Sequence, residues 1–166
     1  MGDQRDDNVL FEIWRLSRVA TRAIDDTIRG SGLTADEFAV YSVLSAGPRT
    51  PGELAEWLAA PPTTVSSYVK RFERRGHIRR EPSTEDGRSY QVALTRSGRA
   101  AHASAGTAFL ALLDDVRADL GPTQERAAHQ ALSDLRTALA TRGRRDPGHQ
   151  ASPSVTNAPP ARHTRR

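Results

Sequence analysis

The densest run of positive charge in the chain lies between residues 70 and 80 and contains one acidic residue, Glu73. Its cations are Lys70, Arg71, Arg74, Arg75, Arg79 and Arg80. Small hydroxyl residues precede the run, namely Thr63, Thr64, Ser66 and Ser67. Cations suit phosphate oxygens and hydroxyls can bond base edges, so this order predicts a DNA-binding helix. The alternative is a solvated helix face with incidental charge.

Two short helices joined by a tight turn would hold these side chains. In residues 50–53 a threonine can cap, a proline fits the first helical position and a glutamate completes a capping box. The proline pair at 61–62 then breaks the chain and starts a second helix, which runs to about Arg75 and ends at Gly76. This pattern predicts a helix-turn-helix.

A basic hairpin is predicted directly after the helix-turn-helix. Residues 77–82 suit a short strand, and the Asp-Gly pair within 84–87 is a strong hairpin signal. Tyr90, Val92 and Leu94 alternate with small or polar residues, as in a half-buried strand. A hairpin at this position is a wing.

Helical patterns continue on both sides of this segment. Thr34 and Glu37 have capping-box spacing, and the helix they open stops at Gly47-Pro48. A further break is predicted at Gly121-Pro122. The remaining helices, recognised by apolar residues every three or four positions, are 8–29, 95–120 and 123–142. The predicted fold class is therefore mainly α.

The formal net charge of +4 is unevenly distributed. Residues 143–166 hold five Arg and one Asp, so the rest of the chain is neutral. Within that rest, residues 48–99 carry +4, between −3 on residues 1–47 and −1 on residues 100–142. The last segment is rich in Pro and poor in large apolar residues, which predicts a disordered basic tail. Its arginines would either attract DNA or have no role.

Several functional classes are excluded by composition and by missing motifs. The chain has no Cys, so disulfides, thiolate metal sites and thiol redox sensing are excluded. No apolar run reaches the roughly 18 residues of a membrane span, and the acidic first residues do not resemble a signal peptide, so we expect a cytoplasmic protein. The five His are scattered, and no catalytic triad, Walker loop or dinucleotide fingerprint appears. We expect no enzymatic activity, no cofactor and no metal site.

The stretch from Leu54 to Gly98 resembles the winged helix-turn-helix of the MarR (multiple antibiotic resistance regulator) family of transcription factors. The most specific matches are Asp86-x-Arg88, Val92-x-Leu94-Thr95-x-x-Gly98 and Gly32-Leu33-Thr34. The resemblance extends over residues 8–142. It implies a homodimeric transcriptional regulator that binds a pseudo-palindromic DNA operator. In this arrangement residues 48–99 form a winged DNA-binding lobe, and helices of 1–47 and 100–142 form the dimerisation domain.

The resemblance places a recognition helix at residues 62–75, in the major groove of DNA. The DNA contacts it implies are Thr63, Thr64, Ser66, Ser67, Lys70, Arg71, Arg74, Arg75, Asp86 and Arg88. Arg88 matches a wing arginine that reaches the minor groove or its phosphates, and Asp86 a wing aspartate that orients a basic side chain; the alternative is a turn device. Pro61 and Ser67 depart from a Ser-like cap and a longer residue that are common in the family, so we expect weaker direct base readout.

Many members of the family are repressors released by small phenolic or aromatic acids, which bind between the dimerisation domain and the winged lobe. The candidate lining residues here are Trp14, Arg18, Phe38, Tyr41 and Trp57. Aromatic side chains could stack on such a ligand and an arginine could hold its carboxylate, although aromatics at helical spacing are often core. Two other functions stay open: a sequence-tolerant architectural DNA-binding protein without an effector, and a metabolite-binding or catalytic helical protein that has lost DNA binding.

Overall fold

The computed structural model describes residues 8–82 and 90–143. They form five α-helices and two strands: α1 (Val9–Ile28), α2 (Ala35–Ser45), α3 (Pro51–Leu58), α4 (Pro62–Arg74), β1 (Ile78–Pro82), β2 (Tyr90–Leu94) and α5 (Arg96–Gly143). A short 3-10 turn, Arg29–Ser31, joins α1 to α2. The predicted mainly α class with a hairpin wing is confirmed. No described helix is long and apolar enough to cross a membrane.

Both predicted capping boxes are present. Thr34 Oγ1 accepts a hydrogen bond from the backbone N–H of Glu37, whose carboxylate accepts one from the Thr34 N–H in return. Thr50 and Glu53 repeat the arrangement at the start of α3. The hydrogen bonds that the Thr50 N–H and hydroxyl donate to the Glu53 carboxylate lower the pKa of that carboxyl. Each box satisfies two backbone N–H groups that a helix start otherwise leaves unpaired.

The turn between α3 and α4 contains a feature that the sequence pattern does not predict. Ala59 adopts a left-handed conformation, with φ 48° and ψ 39°, and its N–H closes the last turn of α3. Glycine is the usual residue at such a position because a side-chain Cβ is crowded there. The tight turn of the helix-turn-helix is therefore made at some cost in backbone strain.

The wing is a two-stranded antiparallel sheet in which Ile78 pairs with Leu94 and Arg80 with Val92. Ala93, predicted on the open side of a half-buried strand, is buried instead. Arg79 lies opposite Ala93, and its guanidinium donates to the Leu94 carbonyl oxygen at 3.3 Å. Its long stem therefore runs beside the small Ala93 side chain, which explains why the alternation fails there.

One buried apolar cluster, the main core, is shared by α2, α3, α4, both strands, the end of α1 and the first turns of α5. At its centre the Tyr41 and Phe72 rings meet edge to face, with centroids 4.8 Å apart. Burial, reinforced by the nearby Glu37 charge, raises the pKa of Tyr41 to about 12. The core thus holds α4 from behind and leaves its other face to solvent.

The wing and α5 are joined by a close backbone contact at Gly98. The Thr95 N–H donates to the His77 carbonyl oxygen at 2.9 Å, and the Thr95 and Ser97 hydroxyls both donate to the Gly76 carbonyl oxygen. A Cβ on Gly98 would lie 2.0 Å from the His77 carbonyl oxygen. The Thr95-x-x-Gly98 pattern therefore has a geometric cause: only glycine lets α5 start this close to the end of α4.

The predicted break in the last helical region is confirmed. Gly121, followed by Pro122, has φ 73° and ψ 162°, so helical geometry is interrupted inside α5. The chain divides into two compact units, one that ends at Asp119 and one that starts at Leu120. In the second unit most side chains up to Thr141 are exposed, including those of Leu132 and Leu139. The predicted tail, 143–166, lies outside the described residues except for Gly143.

Candidate nucleic-acid interface

One face of α4 is polar and open to solvent, while the opposite face belongs to the main core. Val65, Val69 and Phe72 are buried. Arg75 is exposed at the end of the helix, and the other exposed residues predicted to contact DNA are Thr63, Ser66, Ser67, Lys70 and Arg74. They recur at steps of three and four residues and so form one stripe along the helix, with half-buried Thr64 beside it. The arrangement offers hydroxyl groups near the start of the helix and cations towards its end.

The first turn of α4 has no side-chain cap, as the proline at position 61 leads one to expect. The Thr64 N–H instead donates to the Pro61 carbonyl oxygen at 2.9 Å. The Ser67 hydroxyl donates to the Thr63 carbonyl oxygen at 3.0 Å. Because its single proton is used within the helix, Ser67 can offer DNA only an acceptor oxygen.

The four cations of α4 divide into two pairs. Within the described residues, Lys70 and Arg74 form no ion pair with a carboxylate, and both are exposed. Arg71 and Arg75 lie against the Glu37 carboxylate of α2 instead. Within the described residues, only Lys70 and Arg74 of these four present a charge without an ion-pair partner. A phosphate contact by any of the four stays a prediction.

Glu37 is a functional candidate that the sequence analysis recognised only as a helix cap. Its side chain is 1% exposed, and it is the only buried charged residue in the described part of the chain. Arg71 Nε lies 2.9 Å from one carboxylate oxygen, and Arg75 Nη1 donates to the other at 2.9 Å. This hydrogen bond is the main reason that the pKa of the Arg75 guanidinium is raised. We call Glu37, Arg71 and Arg75 the Glu37 clamp.

Aromatic rings support the clamp from the side of α4. The Arg71 guanidinium carbon lies 5.0 Å from the centroid of the Tyr68 ring and 5.7 Å from that of Phe72. These two rings are stacked, with centroids 5.6 Å apart. Cation–π contacts of this kind orient a guanidinium and stabilise it modestly. Arg71 is therefore held both by charge and by packing.

In the wing, two arginines are also engaged within the protein. Arg80 Nη2 donates to Glu73 of α4 at 3.0 Å and its guanidinium carbon lies 4.7 Å from the centroid of the Tyr90 ring. Arg79 pairs with Glu81. Arg80, which lies on β1, thus links α4 to both strands of the hairpin. The predicted wing contacts Asp86 and Arg88 lie outside the described residues.

The five residues predicted to line a ligand site are distributed over different environments. Phe38 and Tyr41 are buried in the main core, as the alternative of a core position expects, and a ligand contact by either stays a prediction. Phe38 lies between the rings of His102 and Phe109, each with its centroid at 5.3 Å. Trp14 and Arg18 lie exposed on α1, and Trp57 is 58% exposed on α3.

Trp14 and Trp57 line separate surface depressions. Trp14 shares an apolar one of about 370 Å³ with Asn8, Leu10 and Phe11. Trp57 lines one of about 330 Å³, whose other residues are Ser42, Val43, Ala46 and Arg49. The second combines an indole with a guanidinium and a hydroxyl, which the predicted aromatic acid would require.

Two histidines are hydrogen-bonded to hydroxyl groups at the edge of the main core. His77 Nδ1 lies 3.0 Å from the Tyr41 hydroxyl, and His102 Nε2 lies 3.1 Å from the Ser42 hydroxyl. Burial lowers the pKa of His102. Within residues 8–82 and 90–143 no group of three or more His, Asp or Glu is placed to hold a metal ion.

Comparison with known proteins finds relatives in one family of regulators. The MarR family profile matches residues 31–89, from the end of the 3-10 turn after α1 to beyond β1. A transcriptional repressor of Mycobacterium tuberculosis is 28% identical over 136 residues, which cover 81% of this chain and 98% of that protein. The transcriptional activatory protein BadR of Rhodopseudomonas palustris is 34% identical over 88 residues, about half of each chain (51% here and 48% of BadR).

A solved structure places a similar fold on DNA. The transcriptional regulator MosR of M. tuberculosis, in complex with DNA, superposes with a TM-score of 0.66 at 27% identity, covering 80% of this chain and 98% of that one. The profile, the relatives and the winged helix-turn-helix agree with one another. The chain is therefore similar to the DNA-binding transcriptional regulators of the MarR family, in sequence and in fold.

Proposed function

We propose that this protein is a homodimeric repressor that reads a pseudo-palindromic operator and is released from it by a small molecule. The observation that carries the proposal is the uncovered polar stripe of α4. It has hydroxyls at its start and, further along, two cations that form no ion pair within residues 8–82 and 90–143. In a helix-turn-helix, this face of the second helix enters the major groove. The proposed place of action is the cytoplasm, where bacterial DNA lies.

The contacts divide by chemistry. Thr63, Thr64, Ser66 and Ser67 are proposed to lie near base edges, and Lys70 and Arg74 to bind phosphates. Asp86 and Arg88 are proposed to act at the wing, where Arg88 would reach the minor groove. Because short hydroxyl side chains offer single rather than paired hydrogen bonds, part of the specificity would come from DNA shape.

The proposed dimer rests on the uncovered apolar surface of α1. Large apolar side chains on this helix are more than half exposed, namely Val9, Leu10, Phe11, Trp14, Leu16 and Val19. An apolar surface of this extent is typical of a protein interface. A two-fold dimer would bury it and would present two copies of α4 to successive turns of one DNA face.

We propose repression and not activation because the repressor relative matches this chain over more of its own length than the activator relative does. The M. tuberculosis repressor matches this chain over 98% of its own length, whereas the activatory protein BadR matches over 48%. For the effector we propose an aromatic or phenolic acid in the Trp57 depression, with its ring on the indole and its carboxylate on Arg49. The Arg49 guanidinium has one described hydrogen bond, to the adjacent Pro48 carbonyl oxygen, and so keeps other donors for an anion.

The DNA-binding part is tested with the DNA upstream of the protein's own gene, in competition with random DNA. A specific regulator should prefer its site by roughly 10³-fold or more. Arg74→Gln should lower the slope of log affinity against log salt by about 1 per lobe. The matched control is Arg22→Gln, which removes a well-exposed arginine from α1. Equal slopes for the two variants would contradict the assignment of α4, and loss of site preference would favour the architectural alternative.

The effector is tested by fluorescence, because the chain has two tryptophans. In a Trp14→Phe variant all tryptophan emission comes from Trp57. Titration with substituted benzoates and phenols should change that emission, and the active compounds should release operator DNA. Arg49→Gln should weaken the binding of benzoates more than that of neutral phenols. Release of DNA without any change at Trp57 would place the effector elsewhere.

A further inference from the structure

We propose that Glu37 is a positioning residue that determines DNA specificity: its buried carboxylate withholds Arg71 and Arg75 from phosphates and fixes the direction of α4. The inference depends on α4 being the recognition helix, as proposed above. It gives Glu37 a second role beyond the capping box of α2. This role affects the binding of random DNA as well as the binding of the operator.

The first observation is that both carboxylate oxygens of Glu37 are used. One lies 2.9 Å from Arg71 Nε, and the other accepts from Arg75 Nη1 at 2.9 Å and from the Thr34 N–H at 3.2 Å. A carboxylate this deeply buried is strongly disfavoured without a cationic partner. The arginines are therefore not free to leave together, and α4 is tied to the first turn of α2.

The second observation is that the withheld arginines are still within reach of solvent. The side chains of Arg71 and Arg75 are 41% and 38% exposed, whereas Glu37 is 1% exposed. A DNA phosphate could thus compete for either guanidinium, but only by leaving the Glu37 charge buried and short of partners. Lys70 and Arg74, one turn apart on the open face, meet no such competitor in the described structure.

The number of free cations on α4 and the orientation of this helix affect DNA binding in different ways. Sequence-independent affinity grows with the number of phosphates that free cations neutralise, and it weakens with salt in the same proportion. Sequence preference depends on hydroxyl and base groups meeting in a fixed orientation. Withholding two of the four α4 cations lowers the sequence-independent affinity. Tying α4 to α2 supports the fixed orientation on which sequence preference depends. Both effects raise the ratio of specific to non-specific binding.

The variant that tests this is Glu37→Gln. Glutamine also suits the third position of a capping box, so the start of α2 is preserved while the charge that holds the arginines is removed. The matched control is Glu56→Gln, which removes one exposed negative charge from α3, where no ion pair of Glu56 is found within the described residues. Both variants change the net charge equally, and circular dichroism checks that each is folded.

We expect Glu37→Gln to bind random DNA more tightly and to steepen the salt slope on random DNA by up to about 2 per lobe, one for each released arginine. The preference for the operator should fall at least about 10-fold. A double variant, Glu37→Gln with Arg75→Gln, should lose about half of the added slope. Glu56→Gln should stay within about 0.5 of the wild-type slope. If Glu37→Gln and Glu56→Gln behave alike on random DNA, the proposal is wrong and Glu37 has only a structural role.

A measurement on the wild-type protein decides the matter if Glu37→Gln does not fold. With ¹⁵N-labelled arginine, random DNA should shift the Nε–H signal of Arg74 and leave those of Arg71 and Arg75 close to their free positions. Equal shifts for all three would overturn the withholding role of Glu37. If the operator as well as random DNA leaves Arg74 unmoved, the recognition-helix assignment fails instead, and the proposal fails with it.

Discussion

The main core and the surface of α1 use the same kinds of apolar residue with opposite results. In the main core, Tyr41, Leu54 and Val92 are buried within one chain. On α1, Phe11, Trp14 and other large apolar side chains are more than half exposed, and only Ile28, at the end of the helix, is fully buried. One region is thus complete within a single chain, while the other lacks a covering surface.

This difference separates two kinds of stability. The contacts of the main core do not depend on protein concentration, because all of them are made within one chain. The proposed α1 contacts are made between chains, so any stability that they add grows with protein concentration. Substitutions in the main core should therefore lower stability equally at all protein concentrations, whereas the effect of substitutions on α1 should depend on protein concentration.

The largest effect is expected where α5 starts against the end of α4. Gly98→Ala would place a methyl group 2.0 Å from the His77 carbonyl oxygen. We expect a loss of about 3 kcal/mol or more in the free energy of unfolding, at or above the top of the usual range for overpacking. The loss should be the same at every protein concentration in urea denaturation.

The matched control lies eight residues further along the same helix. A Cβ on Gly106 would meet nothing within 4 Å. Gly106→Ala should therefore leave stability unchanged or raise it by about 0.5–1 kcal/mol, since alanine favours a helix more than glycine does. Equal destabilisation by the two substitutions would show that the close contact at Gly98 is not what matters.

The next effect concerns the uncovered surface of α1. Trp14→Ala removes a side chain that is 61% exposed in the single chain. If a partner covers it, the dimer dissociation constant should rise at least about 10-fold, because burial of one large apolar side chain is worth more than 1.4 kcal/mol. Sedimentation equilibrium measures the constant.

Trp57→Ala is the control, since it removes a tryptophan with similar exposure from α3. It should leave dimerisation unchanged, and both variants should keep the urea midpoint of the main core at low concentration. A monomeric wild-type protein at micromolar concentration would contradict the proposed role of α1.

The smallest effect is a pH dependence that arises at His102, on the edge of the main core. Burial lowers the pKa of His102 below its ordinary value of 6.5, which the unfolded chain retains. The unfolded state then binds more protons, so the contribution of His102 to stability is complete above pH 6.5 and is lost progressively below it. Because the ring is partly exposed, the loss should be modest. His102→Gln should flatten thermal stability between pH 7 and pH 5 relative to wild type, and parallel curves would contradict this origin.

Local patterns accounted for most of the elements. The capping boxes at Thr34 and Thr50 and the break at Gly121 appear as predicted, because each depends on residues within a few positions of one another. The conformation of Ala59 is not predictable from local patterns. Nothing in its residue type indicates a left-handed conformation, which is imposed by the way α3 and α4 must pack.

The candidate site was predictable in composition and less so in detail. The exposed stripe of α4 follows from helical periodicity, since its opposite face carries the apolar residues. The partner of Arg75 does not follow, because Glu37 lies 38 positions earlier and its capping role already explained its presence. For Phe38 and Tyr41 the sequence left both a ligand contact and a core position open, with the core position favoured, and the structure buries both side chains in the main core.

The class of fold, the helix ends and the wing strands therefore follow from short-range spacing and motifs, and the same motifs carry the resemblance to the MarR family. The number of α4 cations without an ion-pair partner in the described residues depends instead on how the helices pack. Four cations of one helix are equivalent in the sequence, but α2 brings a buried carboxylate to two of them and leaves the other two to solvent. Ion pairing depends on distance in space, and for residues far apart in the chain that distance exists only after the main core has formed.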